Sequence, residues 1–456
     1  MKQELKELED KINWERREIE DLLSFSILEL EKWWQKKEVS SLKRIPSFHI
    51  TGSIGKGSTL LILEGLLKRH GWRTGSFLSP HLVHPRERIR RDGKTISEAE
   101  FASLLQEILP ETQNLTYFET LTALAFWTFF KNQVEVCLYE VGMGGKHDST
   151  NLNPSHICLF TPITDEHLKA LGGNLEAIAL EKCGILKEST RIALSLQQNP
   201  AVLSVIESEC QRKAIPLLLE GRDFSFWKQG SLGFFQGLGL PKPFSFPIPF
   251  PPEIHLANTG LALASFLVFQ NLWQKEKKTW KETRPFSSFF SDSSCMAWED
   301  LSFLSSLSLP GRMERIGEFL ILDTAHHPDS FQALFQALEV HYPGRKWAGI
   351  FSFYKDKKIP QILAFLMPRM EKFAFLDGFS PRSASLDFMA SLVSCPKKLL
   401  NIATLQEGLE WAQKEWFPKG MLLIAGSHSI VGAAKSLLEL KKRNKDLHVP
   451  LNKDNQ

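Results

Sequence analysis

The sequence of 456 residues is long enough for two or three domains, and its hydrophobic content of 43% is ordinary for a globular protein. Its net charge of +3 is too small to indicate nucleic acid or a membrane surface as a partner. The longest strongly apolar run, residues 121–130, has roughly half the length of a membrane span, and the charged N-terminal stretch does not have the pattern of a signal peptide. The six cysteines include no Cys-x-x-Cys pair, which favours reduced thiols. We therefore expect a cytoplasmic protein that binds neither nucleic acid nor membranes.

Short apolar runs alternate with helical or irregular segments through the first part of the chain. Residues 3–38 have a charged, helical pattern, and Pro46 ends it before a short strand at 48–50. A glycine-rich loop follows, and then a helix that ends near Gly71. Further strands are predicted at residues 134–141, 156–161 and 191–195. Strands that alternate with helices are typical of a parallel α/β sheet.

Two segments interrupt this alternation before it starts again. Residues 222–252 are rich in Phe, Gly and Pro, and their aromatic side chains favour burial, so we predict an antiparallel or irregular excursion rather than a linker. Residues 271–300 are first charged and then rich in serine. Later strands are predicted at residues 319–323, 346–351, 373–376 and 421–425. A second α/β domain is therefore expected to begin between residues 296 and 310, and the polar last dozen residues to be frayed.

The strongest local motif is the loop 52–59, with the sequence Gly-Ser-Ile-Gly-Lys-Gly-Ser-Thr, between a predicted strand and a predicted helix. Its glycines allow backbone amides to turn towards phosphate oxygens, and the helix N-terminus adds roughly half a positive charge. Lys56 can reach the β- and γ-phosphates of a nucleotide, and the hydroxyl of Ser58 is placed to bind Mg²⁺. The alternative is a tight strand-to-helix turn with an incidental lysine, because the spacing is shorter than in the usual phosphate-binding loop.

Two residues near the ends of apolar runs, Glu140 and His167, are candidates for a metal site, whereas the sequence by itself does not single out Lys182. Glu140 ends one predicted strand and is followed by glycines, at the position where open α/β sheets bind ligands. A surface glutamate before a turn is the alternative. His167 follows another apolar run, although a lone histidine is more often structural. Lys182 lies in a semi-apolar helix, where a lysine usually keeps its amine at the surface and buries only its stem.

Together these segments resemble the folylpolyglutamate synthase/dihydrofolate synthase family, within the Mur ligase superfamily. The family's loop G-T-N-G-K-G-S-T corresponds to residues 52–59, and its E-V-G-L-G-G-R-L-D-A-T-N segment corresponds to residues 140–151. The remaining motifs of the family occur in the same order at residues 79–82, 87–89, 160–185, 310–314, 323–328, 356–357 and 426–432. An ordered series of this kind is far more specific than a single loop.

The resemblance implies an α/β fold in two domains. The first would be a P-loop Mur-ligase-type nucleotide-binding domain over residues 1–300, and the second a smaller, Rossmann-like α/β domain over residues 301–456 that ligates glutamate. The implied activity is that of an ATP-dependent acid–amino-acid ligase. Such a ligase joins L-glutamate to dihydropteroate, to the glutamate tail of a reduced folate, or to both, through an acyl phosphate. The family also implies a monomer.

The resemblance implies a role for individual residues as well. The positions that match the family's ATP-binding residues are Gly52, Ser53, Gly55, Lys56, Gly57, Ser58, Thr59, Asn258, Arg312 and Asp323. The positions that match its metal ligands, for one or two Mg²⁺ ions, are Ser58, Glu140 and His167. Lys182 matches a lysine that the family carbamylates with CO₂, and it joins Lys56 and His326 as a catalytic candidate. The substrate-side candidates are Ser79, His81 and Ser427.

The chain departs from the family pattern at several positions. Ile54 replaces the loop asparagine, Glu166 replaces the aspartate before the metal-ligand histidine, and His327 replaces an asparagine. These changes keep two alternatives open, a ligase of the same superfamily that acts on a cell-wall precursor and a nucleotide-binding protein without ligase activity. The glycine that follows Lys56 and the Ser-Pro-His-Leu segment at 79–82 favour the folate enzymes over the cell-wall enzymes.

Overall fold

The computed structural model describes residues 2–13, 15, 27–166, 168, 171–274, 279–280, 301–417 and 419–443. The chain forms two compact units. The first, unit 1, consists of Met1–Trp14, Ile19–Pro80 and Pro85–Leu307, and the second, unit 2, consists of Glu15–Glu18, His81–His84 and Ser308–Gln456. The predicted frayed end, residues 445–456, and one cysteine, Cys295, lie outside the described residues.

Helices separate most of the strands in both units. In unit 1 the described helices are α1 (Lys2–Glu9), α2 (Leu28–Lys36), α3 (Lys56–Arg69), α4 (Glu98–Ile108), α5 (Tyr117–Lys131), α6 (Leu175–Lys182), α7 (Pro200–Arg212) and α8 (Pro252–Leu272). In unit 2 they are α9 (Pro328–His341), α10 (Ile359–Leu366), α11 (Leu386–Ser391), α12 (Leu405–Trp411) and α13 (His428–Arg443). In the described part of the chain, no helix combines the length and the apolar sequence that a membrane crossing requires.

The described strands of unit 1 form one large and two small sheets. They are β1 (Ser47–Thr51), β2 (Thr74–Phe77), β3 (Ile89–Arg91), β4 (Lys94–Thr95), β5 (Val136–Glu140), β6 (Ile157–Phe160), β7 (Ile192–Ser195), β8 (Leu217–Leu219), β9 (Phe224–Gln229), β10 (Leu232–Gly237), β11 (Phe244–Pro247), β12 (Trp273–Gln274) and β13 (Thr279–Trp280). The large sheet has the order β4-β3-β2-β5-β1-β6-β7-β8.

The large sheet is parallel from β2 to β8, whereas β3 and β4 pair antiparallel at one edge. The parallel strands β1, β5, β6 and β7 are buried along their whole length, which explains why they are continuous apolar runs in the sequence. The prediction of a parallel sheet is therefore confirmed for its centre. The strands β2, β3, β4 and β8 were not predicted; all four are short, and β3 and β4 are also rich in charged residues.

Residues 222–252 contain the antiparallel sheet β11-β10-β9, as the aromatic composition predicts. Phe224, Phe235 and Phe246 point to one face of it and are buried in the same apolar core as α3 and α8. The sheet thus extends the core of unit 1 rather than linking it to another domain.

Unit 2 contains a five-stranded sheet of the order β14-β15-β18-β16-β17. Its strands are β14 (Glu314–Ile316), β15 (Leu320–Leu322), β16 (Trp347–Phe351), β17 (Lys372–Phe375) and β18 (Met421–Ala425). The last four strands are parallel, and β14 forms an antiparallel hairpin with β15. Each of the four predicted strands is present, and the C-terminal ends of the neighbours β15 and β18 lie side by side.

Four residues from early in the chain, His81–His84, belong to unit 2. Leu82 packs against the core that surrounds β15, β16 and β18. Its carbonyl oxygen approaches α13 so closely that a Cβ atom on Gly432 would lie 1.9 Å from it. Glycine at position 432 is therefore required for this close approach of two backbones.

Candidate active site

The loop 52–55 leads directly from β1 into α3 in unit 1. Gly55, at the N-cap of α3, has a φ of +90°, and Gly52 has a φ of +142°, so both adopt conformations that favour glycine. Glycine is also required at position 52 for steric reasons, because a Cβ there would lie 2.0 Å from Oγ1 of Thr161. The N–H groups in the first turn of α3 have no acceptor within the helix, and this leaves them able to bind an anion.

The first part of the loop is fastened to the segment that follows β6. The N–H groups of Ser53 and Ile54 donate to the carbonyl oxygen of Pro162, at 2.9 and 3.4 Å, and the Ser53 hydroxyl accepts from the N–H of Thr164 at 3.0 Å. In this structure the amides of Ser53 and Ile54 thus stabilise the loop. The amides of Lys56, Gly57 and Ser58, in the first turn of α3, are the ones placed to bind phosphate.

Helix α8 brings Asn258 to the same loop. Its Oδ1 accepts a hydrogen bond from the hydroxyl of Thr59 at 3.3 Å. A Cβ on Gly55 would lie 2.3 Å from the same oxygen, so Asn258 lies directly against the loop. The structure therefore places the predicted nucleotide residues Gly52, Gly55, Thr59 and Asn258 together.

Glu140, the last residue of β5, lies beside the first turn of α3. Its side chain is buried, and Oε2 accepts a hydrogen bond from the N–H of Ser79 at 3.0 Å. A Cβ on Gly57 would lie 3.2 Å from the same oxygen. The interpretation of Glu140 as a surface residue is therefore wrong. Its carboxylate lies between the phosphate-binding loop and Ser79.

Lys182, the last residue of α6, is buried, with only 4% of the residue exposed. Its Nζ donates to the carbonyl oxygen of Gly52 at 2.8 Å, and Nζ of Lys56 donates to the same oxygen at 3.2 Å. Burial, together with the smaller effect of the nearby charge of Lys56, lowers the pKa of Lys182 from 10.5 to about 7. The alternative of a surface lysine is thus wrong for Lys182.

In unit 2, Asp323 follows β15 and is buried. Its carboxylate accepts hydrogen bonds from the N–H of Met313 at 2.6 Å and from the N–H of Ala325 at 2.7 Å. Burial raises the pKa of Asp323, although Arg312 opposes this shift. Arg312 itself donates to the hydroxyl of Thr324.

The other predicted residues of unit 2 lie at the C-terminal ends of β15 and β18. His326 uses Nδ1 to bond the carbonyl oxygen of Thr324 at 2.8 Å, and its ring centre lies 5.6 Å from that of His428. Ser427 is buried and accepts from the N–H of Ile430 at 3.3 Å, which caps the start of α13. The sheet thus brings Asp323, His326 and Ser427 to one edge of unit 2. His81 also belongs to this unit.

Both units match models of known protein families. Residues 50–218 match the Mur ligase middle domain, and residues 311–428 match the Mur ligase glutamate ligase domain. The dihydrofolate synthase/folylpolyglutamate synthase of Mycobacterium tuberculosis is 28% identical, with 92% of this chain and 94% of that protein covered. The enzyme of the same name from Bacillus subtilis is 29% identical, with 76% and 78% covered.

The chain is also similar to solved structures of enzymes with these names. A folylpolyglutamate synthase of M. tuberculosis complexed with ADP has a TM-score of 0.77 and 26% identity, and covers 95% of this chain and 98% of its own. The bifunctional folylpolyglutamate synthase/dihydrofolate synthase of Yersinia pestis, complexed with AMPPNP and a Mn ion, has a TM-score of 0.75 and 25% identity, with 95% and 97% covered. The chain belongs to the folylpolyglutamate synthase/dihydrofolate synthase family. The predicted family, fold class and activity, ATP-dependent ligation, are confirmed.

The residues of this folylpolyglutamate synthase family member also suit a divalent cation. Magnesium prefers oxygen ligands, and the buried hydroxyl of Ser58 and the buried carboxylate of Glu140 both lie at the first turn of α3. Within the described residues, no group of three or more His, Cys, Asp and Glu side chains forms a complete metal site. The predicted ligand His167 lies outside the described residues.

Asp148 is a buried residue of the family motif to which sequence reasoning gave no role. Its carboxylate accepts from the N–H groups of Gly142 and Met143, at 2.9 and 3.1 Å, and from the N–H and hydroxyl of Thr150. Asp148 thereby fixes the loop that directly follows Glu140. The only signal in the sequence was its place inside the motif 140–151.

We expect the free energy of unfolding to depend on pH because the pKa of Lys182 is lowered in the folded protein. Between about pH 7 and pH 10.5 the unfolded chain binds a proton at Lys182 that the folded chain lacks, so the folded state gains stability as pH rises. In CO₂-free buffer, the stability of a Lys182→Met variant relative to the wild type should therefore be largest below pH 7. Raising the pH from 6 to 9 should increase the free energy of unfolding of the wild type relative to that of Lys182→Met by about 3 kcal/mol.

Urea denaturation of both proteins at the two pH values measures this difference. Lys68→Met, which removes an exposed lysine from α3, is the matched control and should show no such change. An equal difference at pH 6 and pH 9 for Lys182→Met would contradict the lowered pKa.

Proposed function

We propose that this protein activates a carboxylate with ATP and joins it to the amino group of L-glutamate. The observation that carries this proposal is the convergence of Lys56, Lys182 and Glu140 on the loop 52–59. The carboxylate donor would be dihydropteroate, the glutamate tail of a reduced folate, or both. The complexes of the M. tuberculosis relative with ADP and of the Y. pestis relative with AMPPNP and Mn support ATP and a divalent metal.

The reaction would proceed in two steps. The acceptor carboxylate attacks the γ-phosphorus of ATP, the bond from that phosphorus to the bridging oxygen breaks, and an acyl phosphate and ADP result. The amino nitrogen of L-glutamate then attacks the acyl carbon, phosphate leaves, and the nitrogen loses a proton as the amide forms. Lys56 and the first-turn amides of α3 would stabilise the charge on the transferred phosphoryl group.

The chain's own oxygen atoms would hold the metal. We assign Ser58 and Glu140 as its ligands, together with the predicted ligand His167, for one or two Mg²⁺ ions. When bound, Mg²⁺ supplies positive charge that neutralises the phosphate oxygens. Glu140 is held in place by the N–H of Ser79, so Ser79 would link the metal ligand to the acceptor side of the site.

We also propose that Lys182 is carbamylated. Its nitrogen would attack the carbon of CO₂ and lose a proton, so that a neutral amine becomes an anionic carbamate. With a pKa of about 7, roughly half of the Lys182 side chains are neutral at pH 7, compared with roughly one in 3,000 for an ordinary lysine. Burial therefore supports the modification by supplying the reactive form of the amine.

In unit 2, Arg312 and Asp323 would contribute to nucleotide binding, and His326 and Ser427 to phosphate and glutamate binding. His81 would contribute to the acceptor side. We further propose a monomeric, cytoplasmic enzyme, a location in which the free thiols of the described cysteines stay reduced.

Phosphate release from ATP by the purified protein tests this proposal. The assay contains L-glutamate and either dihydropteroate, tetrahydrofolate or no acceptor. We expect release that requires both glutamate and an acceptor, and the acceptor that supports turnover identifies the substrate. If ATP binds but neither dihydropteroate nor tetrahydrofolate supports phosphate release, ligation to folates is contradicted. That result would favour the cell-wall ligase or the nucleotide-binding protein without ligase activity.

A further inference from the structure

The end of α6, which carries Lys182, is held by the loop that follows Glu140. The N–H of Lys146 donates to the carbonyl oxygen of Glu181 at 3.0 Å. The backbone of Gly145 lies so close to this end of the helix that a Cβ there would be 2.7 Å from the carbonyl oxygen of Lys182. The position of the Lys182 backbone therefore depends on the position of this loop.

One side chain joins the two segments. Asn151 is buried, and its Nδ2 donates to the carbonyl oxygen of Lys146 at 3.2 Å and to that of Gly184 at 3.1 Å. Lys146 belongs to the loop, and Gly184 belongs to the turn that directly follows Lys182. The carboxamide of Asn151 thus connects the loop that contacts the end of α6 with the turn that follows Lys182.

The residue type suits this bridge. Both acceptors are carbonyl oxygens, so only the amide group, with its two N–H donors, can face them. Aspartate has the same shape but would turn a negative oxygen towards two carbonyl oxygens. The backbone of Asn151 is itself anchored, because its N–H donates to the carbonyl oxygen of Asp148 at 2.9 Å and its carbonyl oxygen accepts from Nζ of Lys187.

We propose that Asn151 is a positioning residue that fixes the end of α6, so that the amine of Lys182 stays at the carbonyl oxygen of Gly52. The side chain of Asn151 donates to backbone carbonyl oxygens, so it acts through the backbone around Lys182. The structural part of this inference stands on the hydrogen bonds alone. Its consequence for turnover rests on the proposed function.

Asn153→Ala provides a matched control for Asn151→Ala. Asn153 is also a buried asparagine, two residues further along, and its side-chain nitrogen and oxygen have no hydrogen-bond partner within the described part of the chain. Both variants delete the same side-chain atoms from a buried position. Only Asn151→Ala removes the bridge to Lys146 and Gly184.

Hydrogen exchange followed by mass spectrometry tests the bridge without any ligand. In Asn151→Ala we expect exchange to accelerate by about tenfold in peptides that cover 144–148 and 181–187, with β1 unchanged. Asn153→Ala should leave these peptides as in the wild type. Equal acceleration throughout unit 1, or no acceleration in the two peptides, would overturn the positioning role. If Asn151→Ala does not fold, Asn151→Ser, which keeps one donor, allows the same comparison.

Turnover then tests the consequence. At saturating ATP, acceptor and glutamate we expect Asn151→Ala to lower kcat about 10- to 100-fold, because a small displacement of Lys182 misaligns the site, while Asn153→Ala stays within about threefold of the wild type. A kcat for Asn151→Ala equal to that of Asn153→Ala would overturn the inference. If the wild type shows no acceptor-dependent turnover, the proposed function fails, and the exchange measurement alone decides the role of Asn151.

Discussion

Replacing Lys56 by alanine is expected to lower acceptor-dependent phosphate release by about 10³-fold or more while the protein stays folded. The side chain lies in the first turn of α3, where its amine bonds the loop through the carbonyl oxygen of Gly52. That single hydrogen bond contributes little to stability, because it is partly exposed and water can replace it. Loss of the positive charge at the γ-phosphate, in contrast, has no replacement. Steady-state phosphate release and circular dichroism measure the two effects.

Lys68→Ala serves as the control for Lys56→Ala. Lys68 lies on the same helix but in its last turn, and it is exposed. Its removal changes the net charge equally and should leave turnover within about twofold. If Lys56→Ala retained more than a tenth of the wild-type turnover, the assignment of the loop as the phosphate site would have to be abandoned.

The second large effect is expected for Lys182→Ala. This change removes the amine that we propose to be carbamylated, and it should lower turnover about 10²-fold or more. The truncated side chain leaves a cavity beside the loop, near the positively charged amine of Lys56, which bonds the same carbonyl oxygen of Gly52 and can attract an anion. A small carboxylate such as acetate can occupy this cavity and supply the missing negative group. We therefore expect added acetate to restore part of the activity in a concentration-dependent way.

The rescue experiment contains its own controls. Acetamide has nearly the shape of acetate but no charge, so it should not restore activity. Acetate should also have no effect on the wild-type enzyme. Full activity of Lys182→Ala without any addition would rule out the carbamate, and equal rescue by acetamide would mean that the cavity, and not the charge, limits turnover.

The secondary structure around the site could be predicted because its signals are local. The strands β1, β5, β6 and β7 are buried on both faces and therefore appear as continuous apolar runs. The short strands β2 and β8 were missed, and so were the edge strands β3 and β4, since their sequence of charged residues carries no such signal. What specifies them is pairing with β2, which is a contact between segments distant in sequence.

The environment of the site residues could be predicted only in part. The glycines of the loop and the position of Glu140 at a strand end follow from local sequence. The burial of Lys182 does not, because its neighbours in α6 give no amphipathic pattern and its closest partner, Gly52, is 130 residues away. Its role entered through the resemblance to a family. Only the three-dimensional arrangement shows why its pKa would be low.

The excursion of His81–His84 into unit 2 affects how the chain can be synthesised and divided. Gly432, against which Leu82 packs, is synthesised about 350 residues after Leu82. During synthesis residues 81–84 therefore lack their packing partner until Gly432 has been made. The core of unit 2 is complete only after this long-range contact forms. For the same reason, a fragment that starts at Ser308 would expose apolar surface that Leu82 covers in the intact protein. Separate production of the two halves should then require residues 81–84 to be supplied with the second half.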